Sequence, residues 1–506
     1  MMTTLTMTHS TNLFLDCKQI KYQTNMGLFE VFRNSVNSII GRNQEFEKLL
    51  QSKDISAVMD QMSNRQSLIL DAIKDYDTFS HEIMNREDKI ITDKNGNFRR
   101  KESVWKLPVP YQVYINEISL VFLYGRPVKW SQLSENTDEA FKKFTDVIRH
   151  TRFDSKIRQC KRIAGAETES AMLFRVFRND EGKPDVQIRV LAKSKGDDIY
   201  VRWDQFENII SIGWGYYVRV NDNVEYHFDI YTPKTIYKCV RGNLGWDVEE
   251  EENLIGKIPI ILFQQKKEWA GVEPLIHREE YIASRSADTN DYFADPIAIM
   301  DAEVIKNMPE KKDANKLLIT KGQDGVDKAA KYLTWDNAPQ SKKDEIEWLQ
   351  DQIYSKTFTP KISLDSMKSI SQLSAKALRT VMLLADIKAS KHKEVHDELL
   401  DRTSNLITAI IGNVLDVSLK SQCANLQIGH EFQEPFGEDV TESITNIVKL
   451  YDSELLSQEG AVELNPLVKD HAKEMQRIKK EKKERQKANE DLFGNKTEDE
   501  ILPTAE

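Results

Sequence analysis

The stretch "GKIPIILFQQKKEWAGVEPLIHREEYIASRSADTNDYF", Gly256 to Phe293, contains the change of pattern that decides the fold. Its opening run, "IPIILF", is short and wholly apolar, as a buried strand requires. From Glu273 the pattern turns helical: Leu275, Ile282 and Thr289 recur seven apart, with the small residues Ala283, Ser284, Ser286 and Ala287 between them. Such a helix can pack closely against copies of itself. A chain that passes here from strands to long helices is predicted to be α+β.

Upstream, from Ala171 to about Phe263, the period is two. "AMLFRVFR", "DVQIRVLAK", "IISIGWGYYVRV", "VEYHFDIY" and "TIYKCV" alternate with the turn clusters "NDEGKP", "SKGDD" and "NDN". They predict an antiparallel meander, closed by "GNLGWDVEEEENLIGKIPIILF" as a loop and a final apolar strand. The run Glu249 to Glu252 reads as a solvated turn. Earlier still, "VPYQVYINEISLVFLYGRPVKW" is a helix that Pro108 and Pro110 open and Gly125 stops, with Pro127 just beyond. "REDKIITDKNGNFRRKESVW", with Asn95-Gly96, reads as an exposed loop. Phe29 to Arg86 reads as helices marked by Val31, Val36, Ile39, Ile40, Ile69, Leu70 and Ile73.

Downstream, residues 294–340 form a small insertion with turn residues at each join. Ser341, with Asp344 three residues on, opens the next helix in a pattern like a capping box, and Ile346, Leu349 and Ile353 mark its face. Two helices flanking an insertion make an αα-hairpin with a head at its tip. The polar stretch "TFTPKISLDSMKSISQLSAKALRT", Thr357 to Thr380, follows. A helix over Ser374 to about Leu415 carries Leu378, Val381, Leu384, Val395, Leu399, Leu406 and Ile410. The remainder is helical with a loop around Gly460 and Pro466, and ends in a charged stretch read as a solvated helix or disordered tail.

The 506 residues allow two to four domains, and 40% apolar with 30% charged residues describes a rather polar globular chain. Its net charge of −10 confines any contact with nucleic acid to local or weak ones. Cys17, Cys160, Cys239 and Cys423 fall in no metal-binding or CxxC spacing, which points to a reducing compartment without a disulfide framework. The amino terminus has no signal-peptide pattern, and no run reaches the ~20 apolar residues of a membrane span.

Catalytic signatures are weak. His392 and His396 lie four apart, as in zinc proteases, but Lys393 stands where the catalytic glutamate belongs, and Glu394 points away. The favoured reading is two histidines facing solvent or a neighbouring subunit. Gly256-Lys257 lacks the rest of a phosphate loop, no GxGxxG or GxSxG occurs, and no Ser-x-x-Lys pair lies in the polar stretch. No enzyme activity, metal or cofactor is expected.

Four segments in order, "NEISLVFLYGRPVKW", "GKIPIILFQQKKEWAGVEPLIHREEYIASRSADTNDYF", "KTFTPKISLDSMKSISQLSAKALRT" and "FQEPFGEDVTESITNIVKLYDSELLSQEGAVELNPLVKDHAKEMQRI", resemble the portal proteins of tailed bacteriophages, of the siphophage kind. The resemblance covers Tyr114 to Arg477. It implies an α+β portal-like fold: a helical and β wing over 1–265, stem helix 1 over 266–293, a small α/β clip over 294–340 and stem helix 2 over 341–356. A tunnel loop over 357–373, a long helix returning to the wing over 374–433, and a crown with the charged tail over 434–506 would follow. Relatives carry more glycine in the tunnel segment than this chain, which has none between Thr357 and Thr380.

The implied function is a homo-oligomeric ring, a dodecamer, at one capsid vertex of the virion, assembled in the host cytoplasm and without contact to membranes. It would conduct double-stranded DNA during packaging and ejection, and dock the terminase large subunit, then the head-completion adaptor. Major capsid and scaffolding proteins would be further partners. Lys361, Ser363, Asp365, Ser366, Lys368 and Ser369 would face DNA in the channel, and Glu310, Lys311, Lys312, Lys321 and Asp324 would meet terminase or adaptor. The alternatives are a metal-dependent hydrolase or nuclease using His392 and His396, and a virion adaptor or scaffold subunit that binds only protein.

Overall fold

The computed structural model describes residues 45–93, 95–221, 223–243, 245–294, 297–301, 317–320, 331–333, 339–362, 375–435, 440–468 and 471–493. The chain is mixed helix and strand and divides into two compact units, residues 1–361 with 384–433, and residues 362–383 with 434–506.

In the first unit a helical stretch at 45–51 precedes α1 (Ile55–Gln61) and α2 (Gln66–Tyr76). Val31, Val36, Ile39 and Ile40 lie outside the described residues. On α2 the buried face runs through Ile69 and Ala72, so Leu70 points to solvent. The stretch read as an exposed loop is instead a hairpin, β1 (Lys89–Thr92) against β2 (Phe98–Glu102). Gly96, at φ +82°, turns the chain, and the Asp93 carboxylate accepts from the backbone N–H groups of Asn95 and Asn97. Helix α3 (Tyr111–Tyr124) begins after Pro110 and ends at Gly125, where the sequence places it. Short strand β3 (Lys129–Gln132) leads into α4 (Asp138–His150) and α5 (Phe153–Glu167).

The expected single meander is two sheets. Strands β4 (Glu169–Arg178), β5 (Pro184–Leu191) and β11 (Ile260–Gln264) form one, in the order β11-β4-β5. Strands β6 (Asp198–Trp203), β7 (Ile209–Val220), β8 (Asn223–Tyr231), β9 (Thr235–Gly242) and β10 (Gly245–Glu252) form the other, with neighbours paired antiparallel. The reason lies in β4, which is buried on both faces. Met172 and Phe174 pack into a core with α3, α4 and α5, while Ala171 and Leu173 meet Ile212, Trp214 and Tyr231 of the larger sheet. The far face of that larger sheet, Phe228, Ile230 and Cys239, is covered by Phe46, Leu50, Ile55 and Val58. On β7, Gly213 and Gly215 leave room for the Phe228 ring and the Tyr226 hydroxyl; a Cβ would lie 2.4 Å from the first and 2.1 Å from the second.

The glutamate run read as a turn belongs to β10. Trp246 and Val248 keep the inward alternation, and Glu250 and Glu251 find Lys53 and Lys238. Cys160, Cys239 and Cys423 are buried free thiols.

Helix α6 (Glu273–Ala294) lies beside α7 (Pro339–Lys356). At one end Val272, Leu275 and Ile276 meet Ile353 and Tyr354; farther along, Arg278 pairs with Glu345, so the two helices run antiparallel. Helix α7 starts two residues ahead of the expected cap Ser341, with Pro339 in its first turn, a position that needs no backbone N–H. Between the two helices, β12 (Ile297–Asp301) pairs parallel with β13 (Leu317–Thr320) and antiparallel with β14 (Lys331–Leu333). Helix α8 (Ala375–Ile410) ends in a π-helical turn, Ile411–Leu415, followed by α9 (Lys420–Asn425) and β15 (Ile428–Glu431), which pairs with β3. Leu400, Leu406, Ile407, Ile410 and Ile411 join the core under β4.

Besides the start of α8, residues 375–383, the described helices of the second unit are α10 (Val440–Asp452), α11 (Gln458–Leu464) and α12 (His471–Phe493). Gly460 lies inside α11 rather than in a loop, its N–H capped by the Ser457 hydroxyl at 3.1 Å.

Candidate functional site

The polar stretch after α7 begins in the first unit, which also holds α8 from Leu384 onward. At its start, the Thr357 hydroxyl donates to the Ile353 carbonyl at 2.8 Å, closing α7. Phe358 then takes a left-handed backbone, φ +53°, and the Thr359 N–H returns to the Tyr354 carbonyl at 2.9 Å. A phenylalanine pays strain for that conformation, so the surrounding contacts must enforce it. They do: the Tyr114 hydroxyl donates to the Pro360 carbonyl at 2.9 Å, and Tyr111 and Tyr114 meet Tyr354 edge-on. Lys361 is exposed and pairs with Asp351 at 3.0 Å.

After the stretch comes α8. Lys391 places its ammonium 4.1 Å above the Phe358 ring, joining α8 directly to the start of the stretch. On the inward face, Lys388, His392 and His396 stand at i, i+4 and i+8. They approach Glu268, in the connection between β11 and α6. The Lys388 ammonium lies 2.8 Å from Glu268 Oε2 and 3.3 Å from its backbone carbonyl. His392 Nε2 lies 3.1 Å from Oε1, which places the imidazole proton on Nε2, since an ionised carboxylate only accepts. The wholly buried Lys161 of α5 forms an ion pair with the same oxygen and donates to Gln265 at 3.0 Å; Gln265 in turn donates to Glu268 at 2.8 Å. His396 Nδ1 and the Tyr124 hydroxyl are 2.9 Å apart.

The electrostatics follow from burial. For Glu268, desolvation would raise the pKa, but Lys161, the His392 hydrogen bond and Lys388 outweigh it and hold the carboxyl well below the usual range. Desolvation lowers the pKa of Lys161 despite Glu268. It also lowers His392, and it drives His396 well down with help from the Lys161 charge, so both imidazoles are neutral near pH 7.

Helix α6 is held by a second buried group. The Glu280 carboxylate accepts from His81 Nδ1 at 2.6 Å and from the Val109 N–H at 2.8 Å. Glu279 accepts from the Tyr111 hydroxyl at 2.8 Å and from Gln350 at 3.0 Å. Ser284, expected to aid packing against other copies, is buried within its own chain and accepts from the Leu107 N–H at 3.0 Å. The other oxygen of each glutamate has no hydrogen-bond partner among the described residues.

The expectation that His392 and His396 face solvent or a neighbour is therefore corrected: they point into their own subunit, where Glu268 and Tyr124 take their nitrogens. Among the described residues no cluster of three His, Cys, Asp or Glu side chains has the geometry of a metal site. Of the expected channel residues, Lys361 is described, whereas Ser363, Asp365, Ser366, Lys368 and Ser369 lie outside the described residues. So do Glu310, Lys311, Lys312, Lys321 and Asp324. Sequence reasoning missed Lys161, Glu268 and Lys388. The available signal was Lys388, four residues before His392 and so on the same helix face as the histidine pair. Among the described residues no helix is long and apolar enough to cross a membrane.

The family model described as phage portal protein, SPP1 Gp6-like, matches residues 34–488, and the chain belongs to this family, whose members are structural components of the phage capsid. No curated protein matches the chain.

Proposed function

We propose that this phage portal protein forms a dodecameric ring at one capsid vertex and conducts double-stranded DNA in packaging and ejection. Residues 1–265 make the wing, 266–293 and 341–356 the stem, 294–340 the clip, and 374–433 the long helix and its return to the wing. The clip meets the terminase large subunit and then the head-completion adaptor. Residues 357–373 line the channel, with Lys361, Ser363, Asp365, Ser366, Lys368 and Ser369 nearest DNA, and 434–506 make the crown.

The observation that carries this reading is the family match over 34–488. The charge supports it. Each phosphate neutralised adds salt-dependent affinity, hence friction on moving DNA, so a chain of net charge −10 whose Lys361 is already paired with Asp351 suits a passage that holds nothing. Sequence-independent cargo needs no base-reading side chains. A hydrolase built on His392 and His396 is not favoured, because both rings are engaged within the fold.

Native mass measurement of the purified protein tests the reading. A species of twelve chain masses, with a central hole by negative-stain microscopy, is expected; a stable monomer or a closed, solid oligomer would overturn it.

A further inference from the structure

We propose that Glu268 is a positioning residue for the channel segment proposed above, residues 357–373: its single carboxylate fixes the axial register of α8, the helix that follows that segment in the chain. This rests on the conduit reading above.

Glu268 does not sit on α8. It belongs to the connection before α6, and its backbone is tied to the body: its N–H donates to the Gly165 carbonyl at 3.2 Å, and the adjacent Trp269 is fully buried, stacked on Tyr76. Gly165 makes the approach possible, since a Cβ there would lie 3.0 Å from Glu268 Cγ and 2.1 Å from the Asn116 side-chain oxygen. The carboxylate is thus a fixed point against which α8 is placed.

It contacts two successive rungs of α8, Lys388 through Oε2 and His392 through Oε1. Rungs four residues apart are separated by about 6 Å along a helix. A carboxylate that bridges them opposes sliding in either direction and rotation about the axis, which a single contact would not. Lys388 also binds the Glu268 backbone carbonyl, so the grip does not depend on the side-chain rotamer alone. The charge count makes the residue hard to replace. One carboxylate serves the ammoniums of Lys161 and Lys388, and without it two like charges face each other in a dry interior. Lys391 above Phe358 carries the constraint across to the other end of the segment.

The test uses full-length rings of the wild type and of Glu268→Gln and Lys388→Met. Two quantities are read: amide hydrogen exchange over 384–400 relative to β7, and the yield of DNA-filled heads in complementation. For Glu268→Gln the expected result is assembled rings, exchange over 384–400 at least about tenfold faster with β7 unchanged, and about a tenfold loss of filled heads. Lys388→Met keeps Lys161 and Glu268 as a one-to-one pair and should move both quantities in the same direction by about threefold. It carries the test if Glu268→Gln does not assemble. Wild-type exchange over 384–400 in an assembled variant would overturn the proposal. Faster exchange with undiminished filled heads would overturn it equally, leaving Glu268 a structural residue. If the conduit reading itself is wrong, head filling will not depend on the wild-type protein at all, while exchange over 384–400 will still respond to the substitutions.

Discussion

Two buried carboxylates anchor two helices of this chain, and they are balanced in opposite ways. At α8, Glu268 faces more positive charge than it can match, the ammoniums of Lys161 and Lys388, with the neutral imidazole of His392 donating beside them. At α6, Glu279 and Glu280 share one histidine, a tyrosine, a glutamine and a backbone N–H, and one oxygen of each has no hydrogen-bond partner among the described residues. The first anchor is short of negative charge and the second is rich in it. Their burial is alike; what differs is the histidine at each, whose pKa is lowered at the first anchor and raised at the second, so removing charge and changing pH should act on the two helices differently.

The largest expected contrast comes from neutralising each acid. Glu268→Gln leaves two buried ammoniums unmatched and should cost about 3–5 kcal/mol. Glu280→Gln leaves a single histidine that can shed its proton while the amide oxygen still accepts from Val109, and should cost about 1–3 kcal/mol. Thermal unfolding of the two purified variants compares them. Equal losses would remove the distinction.

Gly165→Ala tests the close approach behind the α8 anchor. Its Cβ would crowd Asn116 and Glu268, and a loss of about 1–3 kcal/mol in the same assay is expected.

Acid and base should next separate the anchors. His392 and His396 have lowered pKa values, so the stability they contribute is complete above the ordinary histidine value of about 6.5 and is lost as pH falls through the folded values. Glu268 and the ammoniums of Lys161 and Lys388 face them throughout that window. For His81, burial lowers the pKa, but the Glu280 hydrogen bond and charge outweigh it and leave the value raised. Its contribution is therefore complete below about 6.5 and is lost as pH rises through the folded value. Hydrogen exchange corrected for the intrinsic pH effect should show 384–400 loosening on acidification and the α6 anchor loosening on alkalinisation. A common direction for both would contradict the assigned charge states.

The smallest effect belongs to Lys391→Ala, which removes the cation over Phe358. About 0.5–1 kcal/mol is expected, read as a modest rise in exchange near 355–361.

Much of this architecture was legible where local pattern and environment agree. Pro110 and Gly125 bracket α3, and the alternation of "IISIGWGYYVRV" gives β7. Legibility failed where one signal masked another. Four glutamates hid β10, although Trp246 and Val248 keep the period of two. Burial on both faces of β4 disguised the division into two sheets, because a strand covered on each side shows no alternation. In the candidate site, the spacing of His392 and His396 was visible but their direction was not. Glu268 lies more than a hundred residues from either Lys161 or Lys388, and nothing local marks the three as neighbours.

The most direct measurement is a cryo-electron microscopy reconstruction of the assembled ring with DNA in place. Residues 357–373 are expected as the chain nearest the axis, with Glu268 bridging Lys388 and His392 in every subunit. A ring without an axial passage, or one with this segment on its outer surface, would contradict it.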